Sequence, residues 1–492
     1  ELRALCSPGS RTTGDGASAV TDHRGPSGRA RGSAGRPPAD LEMLLRQTPE
    51  GRDRYLDLLR VLSLGAVIIG HWLMAVVVFE PDGRAVTSNA LAFLPWAAPV
   101  TWLLQVMSLF FFVGGAAHWY ALRGLRARGG HSAEFVSARV TRLMWPTGAF
   151  LAVWVVVAVI AHVTGLHDGV VGVALRIAAQ PLWFLAVYLG VILIAIPMLR
   201  LHDRFGVAVP VVMLALVAVA DIGRIGFDLW YLGIANYVLC WALCHQLGYL
   251  YADGSLTRSR RSTGPLLFVM GLSALIALTT FGPYPVSMVG LPGAPFSNIS
   301  PPSLALLVQA SMLVGLVLIF AEPAGRWLVR PMVWIRVAKA NAVAMTAFLW
   351  HLTAAFVVVG SLLLLGIGLP EPGSAAWWLS RPGWLAVLAC VTTGLVVVFR
   401  RFEPVTRPPR VATARGAGSV VLTVAGTVFV AVGVLGYAVH GFLLEGGRSL
   451  RILGLELNTF GSGLAVVCGW LLVYAATRPV VPDTARPPER QG

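Results

Sequence analysis

One apolar segment of this chain carries a spaced set of ionisable residues, reading Arg54-Tyr-Leu-Asp57-Leu-Leu-Arg60-Val-Leu-Ser63-Leu-Gly65 and on to Gly70-His71. At about 100° per residue, the eleven steps from Arg60 to His71 return to within roughly 20° of the same helical face. A rise of about 1.5 Å per residue sets the two about 16 Å apart along the axis. Asp57, three residues before Arg60, stands where it can pair with it. A guanidinium grips phosphate, and a neutral imidazole accepts a proton. The arrangement suits a long ligand with a phosphate-bearing head at the rim and a reactive end deep in the protein, which is the shape of a coenzyme A thioester. In that scheme His71 serves as a general base or as an acylated nucleophile, and the residues leave both open. They also admit a structural reading, in which Arg60 snorkels to an interface and His71 bonds a neighbouring helix.

The surroundings of that segment are lipid. Of 492 residues 56% are hydrophobic and only 12% charged, with a mean hydropathy of +0.73, whereas a soluble domain has about 25% charged residues. Hydropathy gives twelve spans, at 58–79, 99–121, 146–164, 180–199, 206–220, 229–251, 265–281, 302–320, 342–367, 383–399, 418–444 and 461–477. Stretches such as 151–160 are apolar on every side, which excludes the alternation of a β-barrel. The expected fold class is all-α, a polytopic transmembrane helical bundle. Five cysteines, mostly inside apolar segments, give no disulfide framework.

The net charge of +15 raises nucleic-acid binding, but the positive charges fall in alternate loops. Of 38 Lys and Arg, 31 lie in one set of loops and tails, six in the other set, and Arg60 lies in the first span. By the positive-inside rule both termini are cytoplasmic, in a multi-pass protein of the cell membrane with the lipid bilayer as its partner and no nucleic acid. Trp96, Trp119, Trp145, Trp230, Trp327, Trp377 and Trp378 fit an interfacial belt. The arginine-rich segment 1–54 and the end segment 478–492 are expected to be disordered cytoplasmic tails, with a cytoplasmic linker at 401–417. No signal-peptide pattern is visible in the tail that opens on Glu1.

Asp57-Leu-Leu-Arg60, followed by ten residues and His71, resembles the Arg-x10-His signature of the membrane acyltransferase-3 family. Four further matches follow in order. Phe110-Phe111-Phe112-Val113-Gly114-Gly115 resembles the family's FFxxSG segment, with Gly114 in place of the usual serine. Arg139-Val-Thr-Arg142, leading to Pro146, resembles its Arg-x-x-Arg motif, and Pro181-Leu182-Trp183-Phe184-Leu185 its LWFL span start. Asn341 through Phe348-Leu349-Trp350-His351 resembles its late N-S-L…Y-L-x-H helix, with Phe348 for tyrosine. The resemblance implies a ten-span acyltransferase core over 55–400, followed by an extra helix pair in 418–477. It implies O-acylation: an acyl group, acetyl by default, passes from cytoplasmic acyl-CoA to a hydroxyl of an extracytoplasmic carbohydrate, glycolipid or secondary metabolite. His71 and Arg60 are then catalytic; Arg139, Arg142 and Asp57 bind the donor; Trp183, His351 and Asn341 are further candidates. Acyl-CoA is a substrate, and no permanently bound cofactor is expected.

Other clusters carry less. Cys240, Cys244 and His245 have a spacing that can hold a metal, yet no second ligand pair joins them, and packing is the better reading, so no metal is expected. His162 and His440 read as core histidines, and His118, near Arg123, as interfacial or ligand-touching. Twelve spans also fit a secondary transporter of two six-span halves. The loop 252–264 is short for one, and the seventh span has no counterpart of the Asp57–His71 face. A non-catalytic exporter of a lipid-linked sugar is the remaining alternative. The topology is tested by labelling: a cysteine at Ser297 should react with an impermeant thiol reagent in intact cells, and one at Ser259 should not. The reverse pattern, or equal labelling, overturns it.

Overall fold

A backbone crossing hydrocarbon has no water to bond to, so each span closes its hydrogen bonds internally as a helix. The structure is a computed structural model that describes residues 52–79, 85–166, 168–294, 296–403, 417–444, 450–452 and 455–477. Among them are twelve helices of 18 residues or more. They are α1 (Arg54–Met74), α2 (Met107–Ala127), α3 (Ser132–Val163), α4 (Leu182–Phe205), α5 (Ala208–Gly226) and α6 (Leu232–Ala252). Then come α7 (Arg260–Thr280), α8 (Leu304–Leu328), α9 (Pro331–Leu364), α10 (Ala375–Phe399), α11 (Ala417–His440) and α12 (Thr459–Ala476). The protein is an all-α polytopic bundle. Eleven of the twelve are apolar enough along their length to cross a membrane. The exception is α6, which carries Asn236, His245 and Gln246, all fully buried. The expected tails and linker fall outside the described residues except at 52–54, 401–403 and 417.

Several boundaries differ from the hydropathy reading: α3, α9 and α10 start at Ser132, Pro331 and Ala375 rather than at 146, 342 and 383, and at two others the kind of structure changes. The first span does not run to 79: α1 stops at Met74, and the β-branched run β1 (Ala75–Phe79) turns back against β2 (Ala85–Asn89), with Ala75 opposite Asn89. The second span begins only at Met107, after a tight 3-10 segment at Pro95–Val100 that Pro95 and Pro99 favour over a regular helix. A second small hairpin, β3 (Leu450–Ile452) with β4 (Leu455–Leu457), joins α11 to α12.

Contacts between loops sort the helix ends onto two sides. At one end Arg123 and Arg126 of α2 hold Asp203 of α4 at 2.6 and 2.8 Å, and His202 of α4 meets Asp253 at the end of α6 at 2.9 Å. There the Asp53 carboxylate caps α1 by accepting from Tyr55 N and Leu56 N, and also accepts from Tyr251 of α6. Arg54 donates to the Leu328 carbonyl of α8. This is the arginine-rich end. The start of α1 is thus fixed by two other helices, which sets the depth of everything further along it.

Two glycines bring α2 and α6 into backbone contact. A Cβ on Gly115 would lie 1.9 Å from the His245 carbonyl oxygen, and one on Gly248 would lie 2.1 Å from that of Phe112, so no larger residue fits. The final pair, α11 and α12, joins the main core: Val430, Val434, Val466 and Val473 pack in one cluster with Phe150 and Trp154 of α3 and with Leu185, Leu189 and Ile192 of α4.

At the opposite end the segment between α7 and α8 is folded, although its sequence is charge-free and rich in Pro and Gly. Asp221 of α5, 1% exposed, accepts from Arg224 Nη2 (2.8 Å), Asn236 Nδ2 (2.8 Å), the Tyr284 hydroxyl (3.0 Å) and the Leu304 amide (2.7 Å). Asn298 donates to the carbonyls of Pro285 and Ser287. Asp221→Ala leaves Arg224 buried without its counter-charge, which costs about 3–5 kcal/mol for a broken buried pair. Thermal unfolding in detergent should fall accordingly, and proteases should cut 282–301 faster; an unchanged melting temperature would show that this network does not hold the loop.

Candidate active site

His71 sits on α1 three residues before its end and faces α9. Its Nδ1 lies 2.8 Å from His351 Nε2, and the rings lie parallel at 5.1 Å between centroids. The tautomers follow from the partners. His351 Nδ1 faces the Phe348 carbonyl oxygen, which can only accept, so Nδ1 carries the hydrogen and Nε2 of the neutral ring accepts. His71 must then donate through Nδ1, and its Nε2 is left with a free lone pair. Two tryptophans brace the pair: Trp72 Nε1 donates to the His351 carbonyl (3.0 Å), and Trp384 Nε1 of α10 donates to that of Trp72 (2.9 Å). His351 is fully buried. His71 is enclosed by protein on all sides yet keeps part of its surface accessible, so it borders an internal opening.

Toward the arginine-rich end, Asp57 is the anchor of α1. Its carboxylate takes Arg52 Nε at 2.6 Å, Arg52 Nη2 at 3.1 Å and Asn341 Nδ2 of α9 at 2.9 Å. Arg60 Nη1 reaches it only at 3.4 Å. The sequence reading placed Asp57 among donor-binding groups. Asp57 is 5% exposed, and its oxygens are engaged by three side chains, Arg52, Arg60 and Asn341. The same bond holds the Arg52 guanidinium above its usual pKa, against the opposing effect of burial. Arg60 is left with donors to spare.

Arg139 and Arg142 enter from α3. Arg139 Nη1 donates to the Phe135 carbonyl (3.1 Å) and its Cζ lies 3.7 Å from the centre of the Phe135 ring, which seats the guanidinium on that ring and uses one of its donors. Arg142 is exposed by surface although surrounded by protein, and lies within electrostatic reach of Arg60, Arg52 and Glu403. Its guanidinium is therefore accessible while lying close to those groups. Trp183, near the start of α4, stands apart from these charges, its ring 5.9 Å from Trp241 and 6.4 Å from Phe184. It belongs to an aromatic wall. Phe184 in turn meets Phe348 at 5.7 Å, and Phe348 meets His351 at 5.8 Å.

A family model described as an acyltransferase domain matches residues 53–401. The chain belongs to the acyltransferase-3 family. It is an integral-membrane acyltransferase, and the matched stretch runs from the cap of α1 through α10, leaving α11 and α12 beyond it. No curated protein and no solved structure matches the chain.

The structure of this acyltransferase adds groups that its sequence did not mark. Glu403, just past α10, accepts from the backbone N of Thr346 (2.8 Å) and from its hydroxyl (2.7 Å), inside the length of α9. Burial pushes its carboxyl above the usual carboxylate range, while the Thr346 bonds and the Arg142 charge pull it back. In sequence it reads as one more charge beside Arg400 and Arg401. Tyr188 of α4 also enters the polar interior, where His118 bridges it to His245. The two histidines were marked in the sequence for other roles; Tyr188 was not. Glu403→Ala should lower stability by about 1–3 kcal/mol, because both Thr346 donors lose their acceptor. Glu403→Gln should keep most of it, since an amide oxygen accepts equally well. The comparison of melting temperatures checks this, and equal losses in the two variants would mean that the charge, not the acceptor, matters.

Proposed function

We propose that this acyltransferase moves an acyl group, acetyl by default, from acyl-CoA to a hydroxyl of an extracytoplasmic carbohydrate, glycolipid or secondary metabolite. The arginine-rich end faces the cytoplasm, in the cell membrane, with both termini on that side. One observation carries the reading: His71 presents an unprotonated Nε2 to an internal opening, and Arg60 sits about 16 Å away on the same rigid helix, at the rim where Arg139 and Arg142 converge. An extended pantetheine arm spans that distance.

The charges support the donor end. Three guanidiniums share the rim, and the carboxylates in their reach, Asp57 and Glu403, are hydrogen-bonded to Arg52, Asn341 and Thr346. The surplus of positive charge fits the phosphates of coenzyme A, which planar guanidinium forks bind bidentately. The reactive end follows from the tautomers. His71 Nε2 takes the proton of the acceptor hydroxyl as its oxygen attacks the thioester carbonyl carbon. The C–S bond then breaks, and the imidazolium returns its proton to the departing thiolate. The products are an ester and free coenzyme A, and His71 is neutral again. His351 Nε2, accepting from His71 Nδ1, orients the ring and stabilises the transient charge. Two hydrogen-bonded imidazoles share a proton readily, which favours base catalysis over acylation of His71.

Kinetics in proteoliposomes test this. His71→Ala should lower kcat by at least the roughly 10²–10⁴-fold of a lost general base, with acyl-CoA still bound. Arg139→Gln/Arg142→Gln should weaken acyl-CoA binding and leave acceptor affinity near its original value. His351→Gln, whose amide oxygen still accepts from His71, should fall between wild type and His71→Ala. Near-normal turnover in His71→Ala removes the base and the mechanism with it. The acceptor is identified by mass spectrometry of envelope glycans and exported metabolites with and without the gene, reading a lost acyl mass.

A further inference from the structure

A second buried chain of polar groups lies beside the transfer machinery and takes no part in the steps above. His118 of α2 is 2% exposed and His245 of α6 is 0% exposed. His118 Nδ1 lies 3.0 Å from His245 Nε2, and His118 Nε2 lies 3.2 Å from the hydroxyl of Tyr188. At the far end of this chain His245 Nδ1 is buried with no hydrogen-bond partner. An orphaned N–H inside a protein is rarer than an orphaned acceptor, so Nδ1 is the bare nitrogen and Nε2–H donates to His118 Nδ1. His118 then donates through Nε2 to the Tyr188 oxygen. The hydroxyl hydrogen of Tyr188 is left over.

Tyr188 keeps part of its surface accessible and lies within electrostatic reach of both Arg139 and Arg142. Its hydroxyl therefore stands near both guanidiniums, accessible and with a hydrogen not committed to His118. Gly114 makes room for it. A Cβ there would come 3.1 Å from Tyr188 Cε2 and 3.5 Å from its hydroxyl, closer than the ring can tolerate without moving. The backbone at Gly114 is ordinary helix, so the missing side chain serves the tyrosine and not a turn.

We propose that Tyr188 is a donor-binding residue: it gives a hydrogen bond to a phosphate oxygen of acyl-CoA beside Arg139 and Arg142, with His118 and His245 as positioning residues. Gly114 is the space that admits its ring. The assignment rests on the reading of Arg139 and Arg142 as the phosphate grip. The purified full-length enzyme with acetyl-CoA as probe tests it. Tyr188→Phe removes only the hydroxyl and should raise both Kd and KM for acetyl-CoA at least about tenfold, the effect of one hydrogen bond to a charged group. kcat at saturation should hold, while the melting temperature should fall modestly, because the buried His118 Nε2–H loses its acceptor. Gly114→Ala, by displacing the ring, should raise KM in the wild-type background and add nothing further in Tyr188→Leu, a coupling that independent sites do not show. If Tyr188→Phe binds acetyl-CoA as wild type does while Arg139→Gln/Arg142→Gln binds it weakly, the tyrosine assignment falls and the arginine reading stands. If neither variant is weakened, both fall. A lower kcat or melting temperature in Tyr188→Phe at unchanged KM overturns the assignment in favour of a structural role.

Discussion

In hydrocarbon a polar side chain has no water to turn to, and several of the polar groups carried into this bundle are held by partners on other helices. His71 on α1 meets His351 on α9, His118 on α2 meets His245 on α6, and Asp57 on α1 meets Asn341 on α9. Asp221 on α5 gathers Asn236 on α6 and the start of α8. Each bond costs the bundle some freedom, and together they decide which helix faces which. The chemistry inherits its geometry from that requirement. His71 has a defined tautomer only because α9 delivers a second imidazole, and α9 is held in turn by Asn341 at the rim.

Much of the architecture was legible, because lipid makes a simple demand that a one-dimensional pattern reveals. Twelve spans read from hydropathy became twelve long helices, eleven of them apolar enough to cross a membrane, and among the described residues contacts join several of the arginine-rich helix ends at one end. The Arg60–His71 spacing was legible for the same reason: both residues lie on one helix, where periodicity fixes their relation. Pairings across helices were not. His71 and His351 stand 280 residues apart, and no local signal in either segment names the other. Glu403 was hidden by two arginines before it, and Tyr188 by its resemblance to any aromatic in an apolar span. The boundary errors have the same origin. Ala75–Phe79 is apolar enough to extend a span, but hydropathy cannot tell a helix from a hairpin made of valines.

The division of labour along α1 sets a ruler. One rigid helix carries the anchor Asp57, the rim cation Arg60 and the inner imidazole His71, so their separation does not depend on loop motion or on how the other helices breathe. An aromatic series runs from Trp183 through Phe184 and Phe348 to His351, the partner of His71. A wall of that kind is apolar and stiff, suited to keep water from the imidazole it ends on.

The polarity of α6 reaches beyond the finished enzyme to how the enzyme is made. A helix carrying Asn236, His245 and Gln246 partitions poorly into lipid by itself, so it cannot be released from the insertion machinery as an independent segment. Its nearest neighbours are α5 and, through Gly115 and Gly248, α2, and both are synthesised before it. Chain order therefore supplies the surfaces that α6 needs at the moment it emerges. A side chain at either glycine would push α6 away from α2, the surface against which its polar residues are buried.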